Sequence, residues 1–233
     1  MQQSVLSEPQ SAVTLTSHRD NGHYTLIHSS TYLHDGLTYT LNHNPLSKRS
    51  SPIRKEIIDR FIEQLRAMLS HYNEVYGFRF DLSVPEGMPV DESNKLISLL
   101  FARLRGEFTA KAWNNQPIKK FAYGWVREKE KAKQVHYHCW IALPYFQVNT
   151  AGFEEKGMIG RISRIWAELT NGISRVHLPD DRYRIKRDDH DSLVKMVKRV
   201  SYLAKNRGKY SNGKGQQTFS ASRLQFKTVN TLH

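Results

Sequence analysis

The stretch KQVHYHCWIALP, Lys133 to Pro144, places two histidines within an apolar run of strand-forming residues. Successive side chains of a strand point to opposite faces, so His136 and His138 share one face while Tyr137 and Cys139 share the other. Two half-exposed histidines on a sheet surface are one interpretation of this pattern. Two ligands for one metal ion are the other, and the surrounding sequence has to discriminate between them.

The segments on either side of this stretch predict further strands. KKFAYGWVREKE, residues 119–130, lies just before it and is separated from it by a short charged loop, which favours a β-hairpin. FRFDLSVP, residues 78–85, alternates apolar residues in the same way and stops at Pro85. Apolar residues at helical spacing predict helices over residues 52–76, 92–113, 153–170 and 191–209, the first of them capped by Ser51 with Pro52 in its first turn.

The order of these segments predicts an α+β fold. Because helices alternate with strands but a hairpin is included, we expect an antiparallel sheet with helices packed mainly on one face and the other face free for a site. Residues 1–20 show little apolar periodicity, and the pattern of residues 23–49 predicts one or two short strands. We expect residues 1–50 to form a partly flexible N-terminal extension. Residues 51–233 are then the main domain.

Composition and charge indicate the class of partner. The chain has 233 residues and one cysteine, which excludes an internal disulfide framework, and the lack of a long apolar run favours a cytoplasmic location. Its net charge is +13, and residues 192–233 contain nine Lys or Arg and no Asp or Glu. A polyanion such as nucleic acid is the expected partner, because each phosphate contact releases counterions.

The last predicted helix carries a tyrosine within a row of cations. Lys195, Lys198, Tyr202 and Lys205 are spaced so that they form one stripe, with Arg199 beside it. A tyrosine lying half-buried on a basic helix would give the same pattern. A nucleophile is the alternative, because neighbouring ammonium groups favour phenolate and attract the phosphate that it would attack.

The histidine strand and the tyrosine together resemble the HUH endonuclease superfamily. Five segments carry the resemblance: FRFDLSV (78–84), WVREKE (125–130), HYHCWIAL (136–143), SYLAKNRGK (201–209) and TFSASRL (218–224). Because the tyrosine follows the histidines, the order resembles that of rolling-circle replication initiators, and the match is closest to the gene-product-two-like replication proteins of filamentous phages. The resemblance covers about residues 55–226.

The resemblance implies an HUH fold, a ferredoxin-like or RRM-like antiparallel sheet, and a role for each site residue. Tyr202 would be the nucleophile, Lys205 would offset charge, and His136, His138 and Glu128 would hold Mg²⁺ or Mn²⁺. Geometry alone leaves Glu128 and Glu130 open as the third ligand, since both have the same parity. They face the histidines only if Glu128 pairs with His138, which requires an odd number of loop residues, such as three or five. The residues expected to bind nucleic acid are Lys195, Lys198, Arg199, Arg207 and Lys209.

The implied activity is nicking and rejoining of single-stranded DNA at an origin or hairpin, through a 5′-phosphotyrosine. No GxxxxGK[ST] loop occurs, so a separate host helicase would have to unwind the duplex. Three other hypotheses remain open on sequence: a single-tyrosine HUH transposase, a degenerate homologue that binds DNA without cutting it, and a structural zinc protein. The last is disfavoured because Cys139 stands alone and is expected in the core.

Overall fold

The computed structural model of the protein describes residues 13–18, 23–44, 46–48, 50–110, 116–129, 135–153, 156–209 and 216–228. The helices are α1 (Lys55–His71), α2 (Val90–Thr109), α3 (Gly157–Leu169) and α4 (His190–Ser201). The strands are β1 (Val13–His18), β2 (His23–Ile27), β3 (Thr31–His34), β4 (Leu37–Thr40), β5 (Ile53–Arg54), β6 (Glu74–Ser83), β7 (Ala122–Glu128), β8 (His136–Pro144), β9 (Val176–His177), β10 (Arg182–Lys186) and β11 (Phe219–Ala221). None of the helices in these ranges has the length and apolar character needed to cross a bilayer.

An antiparallel sheet forms the centre of the molecule. Its strands lie in the order β10-β6-β8-β7-β11, and β9 adds to the end of β6. The predicted hairpin is present as β7 and β8, and β6 pairs with the whole length of β8. The prediction of an α+β fold with an antiparallel sheet is therefore confirmed.

Both faces of the sheet are covered by helices, so the predicted one-sided packing is wrong. α2 and α3 pack on the face that carries Tyr137 and Cys139, which are fully buried. α1 and α4 pack on the opposite face, against Trp140 and Ala142. β8 is apolar on both faces along most of its length, so both faces require cover. The face covered by α1 and α4 carries polar side chains at the end of the sheet where His136 and His138 lie.

The strands β2, β3 and β4 contribute buried side chains to the core on the α1–α4 face of the sheet. β1, β2 and β5 form a small sheet, while β3 and β4 form a hairpin whose turn, Asp35-Gly36, has positive φ at both residues. Tyr39 of this hairpin is fully buried among side chains of α1 and α4. Over the described residues, these strands therefore share one cluster of buried side chains with α1 and α4.

α1 begins later than its sequence predicts. Ser51 and Pro52 were expected to open the helix, but Ile53 and Arg54 form β5 and pair with β2. The helix therefore starts at Lys55, without a side-chain cap. At the other end the helix stops at His71, because Glu74 to Gly77 extend β6 and pair with β10. At both ends the long-range pairing of strands outweighs the local helical pattern.

Gly124 of β7 makes room for the packing of α1 on the sheet. A Cβ at this position would overlap the indole of Trp140 and the ring of Phe61, which contact each other edge to face. Gly124→Ala should therefore lower the free energy of unfolding by about 1–3 kcal/mol, as overpacking does in other cores. Chemical denaturation measures the change.

A matched control for this substitution lies on α2. A Cβ at Gly106 would meet nothing within 4 Å, so Gly106→Ala should leave stability unchanged or raise it by up to about 1 kcal/mol. Equal effects at the two glycines would contradict the packing described for β7.

Candidate metal and nucleic-acid site

The register of the β7–β8 hairpin brings Glu128 beside the two histidines. Glu128 pairs with His136, and Val126 pairs with His138, so seven residues separate the paired ends of the strands. The loop is odd, as the metal hypothesis requires, although Glu128 was expected opposite His138. Glu130, the other candidate, lies outside the described residues.

The three side chains place their ligand atoms together. Nε2 of His136 lies 3.1 Å from Nε2 of His138. Oε2 of Glu128 lies 3.3 Å from the His138 nitrogen and 4.0 Å from the His136 nitrogen. Neighbouring ligands of an octahedral Mg²⁺ with bonds of about 2.1 Å are roughly 3 Å apart. Two of the three separations are close to this value, so Glu128, His136 and His138, called the metal group below, could hold one small divalent ion.

Asp81 and Arg79, both on β6, stand behind His138. Oδ1 of Asp81 accepts a hydrogen bond of 2.8 Å from Nδ1 of His138, which turns Nε2 towards Oε2 of Glu128, 3.3 Å away. Arg79 donates two bonds of 2.9 Å to the same carboxylate. Burial alone would raise the pKa of Asp81, but the hydrogen bonds from His138 and Arg79 outweigh it and lower the pKa to about 2. Asp81 is thus an ionised partner that orients the imidazole.

Lys209 holds the side chain of Glu128 in the way that Asp81 holds the ring of His138. Its Nζ lies 2.8 Å from Oε1 of Glu128 and also donates to the backbone carbonyl of Lys205. Burial favours the neutral carboxyl, but the hydrogen bond from His138 and the charge of Lys209 lower the pKa of Glu128 to about 2. Burial lowers the pKa of Lys209 to about 8, against the pull of Glu128.

The assignment of Lys209 to nucleic-acid binding is wrong, because its side chain is 0% exposed. Gly208, with φ of 82°, turns the chain beneath β7, and its carbonyl accepts a bond from the backbone N–H of Lys129. The lysine is thereby carried inward to the metal group.

Tyr202 lies at the end of α4 and not within a longer helix. α4 ends at Ser201, and a 3₁₀ turn spans Tyr202–Ala204. The backbone of Lys205 then forms an isolated antiparallel β-bridge with Ile53. The helix predicted to reach residue 209 is therefore too long, because this segment leaves the helix to meet the strand β5.

The tyrosine ring is flanked by two cations. Nζ of Lys205 lies 3.8 Å from the ring centroid, and the guanidinium carbon of Arg79 lies 5.2 Å from it. Arg79 also lies 2.9 Å from Nδ1 of His138. A single side chain therefore connects Tyr202 with the metal group. The half-exposed phenol has the surroundings expected for a group that meets an anion.

The remaining predicted nucleic-acid residues differ in their surroundings. Lys195 and Lys198 are exposed on α4, and Arg207 is exposed beyond the 3₁₀ turn. Arg199 instead forms an ion pair of 3.0 Å with Asp181. Along the chain, two of these exposed cations come before Tyr202 and one comes after it.

Residues from the N-terminal part hold this segment in place. Arg54 donates to the side chain of Asn206 at 2.7 Å and to the backbone carbonyl of Lys209 at 2.9 Å. The backbone N–H of Asn206 donates to the carbonyl of Pro52. Sequence reasoning missed Arg54, since nothing local marks it. It also missed Arg79 and Asp81, although their alternation with Phe78, Phe80 and Leu82 was a usable signal.

One comparison with known proteins identifies a family. A family model described as the YagK/YfjJ C-terminal domain matches residues 37–222, a range that includes the metal group, Tyr202 and the β3–β4 hairpin's second strand. No curated protein and no solved structure shows significant similarity to the chain. Because the matched range covers most of its 233 residues, the chain belongs to the YagK/YfjJ C-terminal domain family.

Proposed function

We propose that the protein is a metal-dependent HUH-type endonuclease that nicks and rejoins single-stranded DNA. Its task would be to initiate rolling-circle replication of a phage, plasmid or related mobile element. The observation that carries the proposal is the position of Arg79, between His138 and the ring of Tyr202. A candidate nucleophile and a candidate metal group are neighbours across this one side chain. The sequence resemblance to HUH initiators supports the same pair of roles.

The proposed chemistry is a transfer of the DNA backbone to Tyr202. Glu128, His136 and His138 would hold a divalent ion, Mg²⁺ or Mn²⁺, which would supply Lewis-acid polarisation of the scissile phosphate. The phenolic oxygen forms a bond to phosphorus, and the bond from phosphorus to the 3′ oxygen breaks. The phenol loses its proton to solvent and the 3′ oxygen gains one, so the products are a 5′-phosphotyrosine and a free 3′-hydroxyl. Attack by a 3′-hydroxyl on the phosphotyrosine reverses the step and rejoins strands.

The cations around the tyrosine have separate tasks in this proposal. Lys205 lies against the ring, where its charge offsets the negative charge that develops on the phosphate. Lys195, Lys198 and Arg207 are exposed and supply contacts to the phosphates on either side. Neither task discriminates between bases, so the recognised sequence or hairpin is read by other contacts.

The proposal is tested by searching for the covalent intermediate. The full chain is incubated with a labelled pool of randomised single-stranded DNA and with Mn²⁺ or Mg²⁺. We expect a protein–DNA complex that survives boiling in detergent, because a phosphotyrosine bond is covalent. Sequencing of the captured strands then identifies the preferred site.

One control and three alternative outcomes give this experiment its direction. Chelation by EDTA should prevent the complex from forming. Cleavage without attached protein would indicate hydrolysis and would contradict the tyrosine mechanism. Binding of the pool without cleavage under any divalent ion would favour a degenerate DNA-binding protein, and cleavage confined to the ends of a mobile element would favour a transposase.

A further inference from the structure

The carboxylates at the metal group are already neutralised by the protein. Glu128, the anionic member of the group, pairs through Oε1 with the buried ammonium of Lys209. Asp81, behind His138, pairs with Arg79. Two carboxylates face two cations, and Lys205 adds a further positive charge beside Tyr202. The charges of these five groups therefore sum to +1.

This balance is unfavourable for a free divalent cation. Mg²⁺ and Mn²⁺ are hard ions, and their sites in proteins commonly combine carboxylates with substrate phosphates. Here an ion that binds alone adds two positive charges to surroundings with no excess of negative charge. A phosphodiester that contributes an oxygen supplies one negative charge at the ion and removes part of this cost.

We propose that Lys209 is a positioning residue that makes metal binding conditional on DNA phosphate. Its ammonium holds Oε1 of Glu128, so that only Oε2 faces the ion, and it cancels the charge of the ligand carboxylate. The ion then binds weakly to the free protein and tightly to its complex with a single strand. This inference rests on the proposed function, because it takes the metal group and the DNA phosphate to be partners.

The coupling between metal and DNA has to be reciprocal. If DNA raises the affinity for the ion by some factor, the ion raises the affinity for DNA by the same factor.

A purely structural role of Lys209 predicts the opposite effect of its removal on metal affinity. If Lys209 served only to hold Glu128 in place, its loss would weaken metal binding, whereas loss of a neutralising charge strengthens it.

The experiment measures Mn²⁺ binding by electron paramagnetic resonance in Tyr202→Phe protein, which cannot form the covalent complex. Titrations are made without DNA and with a saturating randomised 30-nucleotide single strand. Lys209→Met in this background should raise the DNA-free affinity for Mn²⁺ by at least about tenfold, since a unit charge close to the ion is removed. Lys209→Gln retains a hydrogen-bond donor without the charge and should show a rise as well. Thermal melts in EDTA establish that each variant is folded.

Matched controls isolate the effect of this one charge. Lys95→Met removes an exposed cation from α2, on the other face of the sheet, and should leave the DNA-free affinity unchanged. His138→Ala gives the background of Mn²⁺ held by the DNA itself.

Each outcome has a defined meaning. Equal Mn²⁺ affinity with and without DNA in the parent protein would overturn the conditional binding. An unchanged or lower affinity in folded Lys209→Met or Lys209→Gln protein would overturn the role of Lys209. Failure to detect Mn²⁺ above the His138→Ala background, with or without DNA, would instead remove the metal from the proposed function itself.

Discussion

Tyr202→Phe should abolish the covalent protein–DNA complex while leaving folding and DNA binding in place. The substitution removes one oxygen and keeps the ring, so the contacts of Arg79 and Lys205 with its face persist. No other atom of the ring can bond to phosphorus, and the expected loss is complete within the limit of detection. Gel electrophoresis in detergent with end-labelled DNA measures it.

The matched control is Tyr183→Phe. Tyr183 is a partly buried tyrosine of β10, outside the site, and its loss should leave the complex at the parent level. Digestion of the complex should place the label on a peptide that contains Ser201, Tyr202 and Leu203. A complex that persists in the Tyr202→Phe variant and maps to Tyr183, or to Tyr210 outside the described residues, would show that the nucleophile has been assigned wrongly.

The second large effect is expected at the metal group. His138→Ala or His136→Ala removes one of the three candidate ligands, and on the proposed function metal-dependent cleavage should fall by about a thousandfold, equivalent to several kcal/mol of transition-state stabilisation. Binding of single-stranded DNA in EDTA, at one fixed salt concentration, should change little, because without a divalent ion contacts between cations and phosphates dominate it. Cleavage rates and fluorescence anisotropy measure the two quantities separately.

Asp81→Asn provides a graded test of the same group. Asparagine keeps the shape of the side chain but cannot hold His138 as strongly, so the affinity for Mn²⁺ should fall by about 10- to 100-fold. His28→Ala, at an exposed histidine away from the site, should have no effect on cleavage. If His136→Ala and His138→Ala both cleaved at the parent rate, the metal group would play no part in the reaction.

Much of the site was accessible from the sequence because it depends on local alternation. The period of a strand is enough to put His136 and His138 on one face and to send Cys139 into the core, where it is fully buried. The same rule leaves two possible faces for Glu128, and an odd or even number of loop residues decides whether it shares a face with the histidines. Parity of this kind survives a shift in register by two residues, and such a shift separates the expected pairing from the observed one.

The rest of the site depends on contacts that no local pattern encodes. Lys209 is a residue type that often binds phosphate, yet the turn at Gly208 buries it against Glu128. Ser51 and Pro52 are residue types that commonly begin a helix, yet the two residues that follow them form the strand β5. In each case the outcome was determined by a partner far away in the chain. Charge and propensity describe a residue in isolation and give no information about such partners.

The contacts of Arg54 impose an order on the way the site assembles during folding. The ligands of the metal group lie within residues 128–138, in one hairpin that can form locally. The segment that carries Tyr202, in contrast, is fixed by bonds between residues 152 to 159 positions apart. Closing a loop of that length costs about 2–3 kcal/mol more entropy than closing the hairpin loop. Long-range pairings of this kind form late, so the hairpin that carries Glu128, His136 and His138 forms before Tyr202 is placed, and on the proposed function a partly folded chain would have no placed nucleophile.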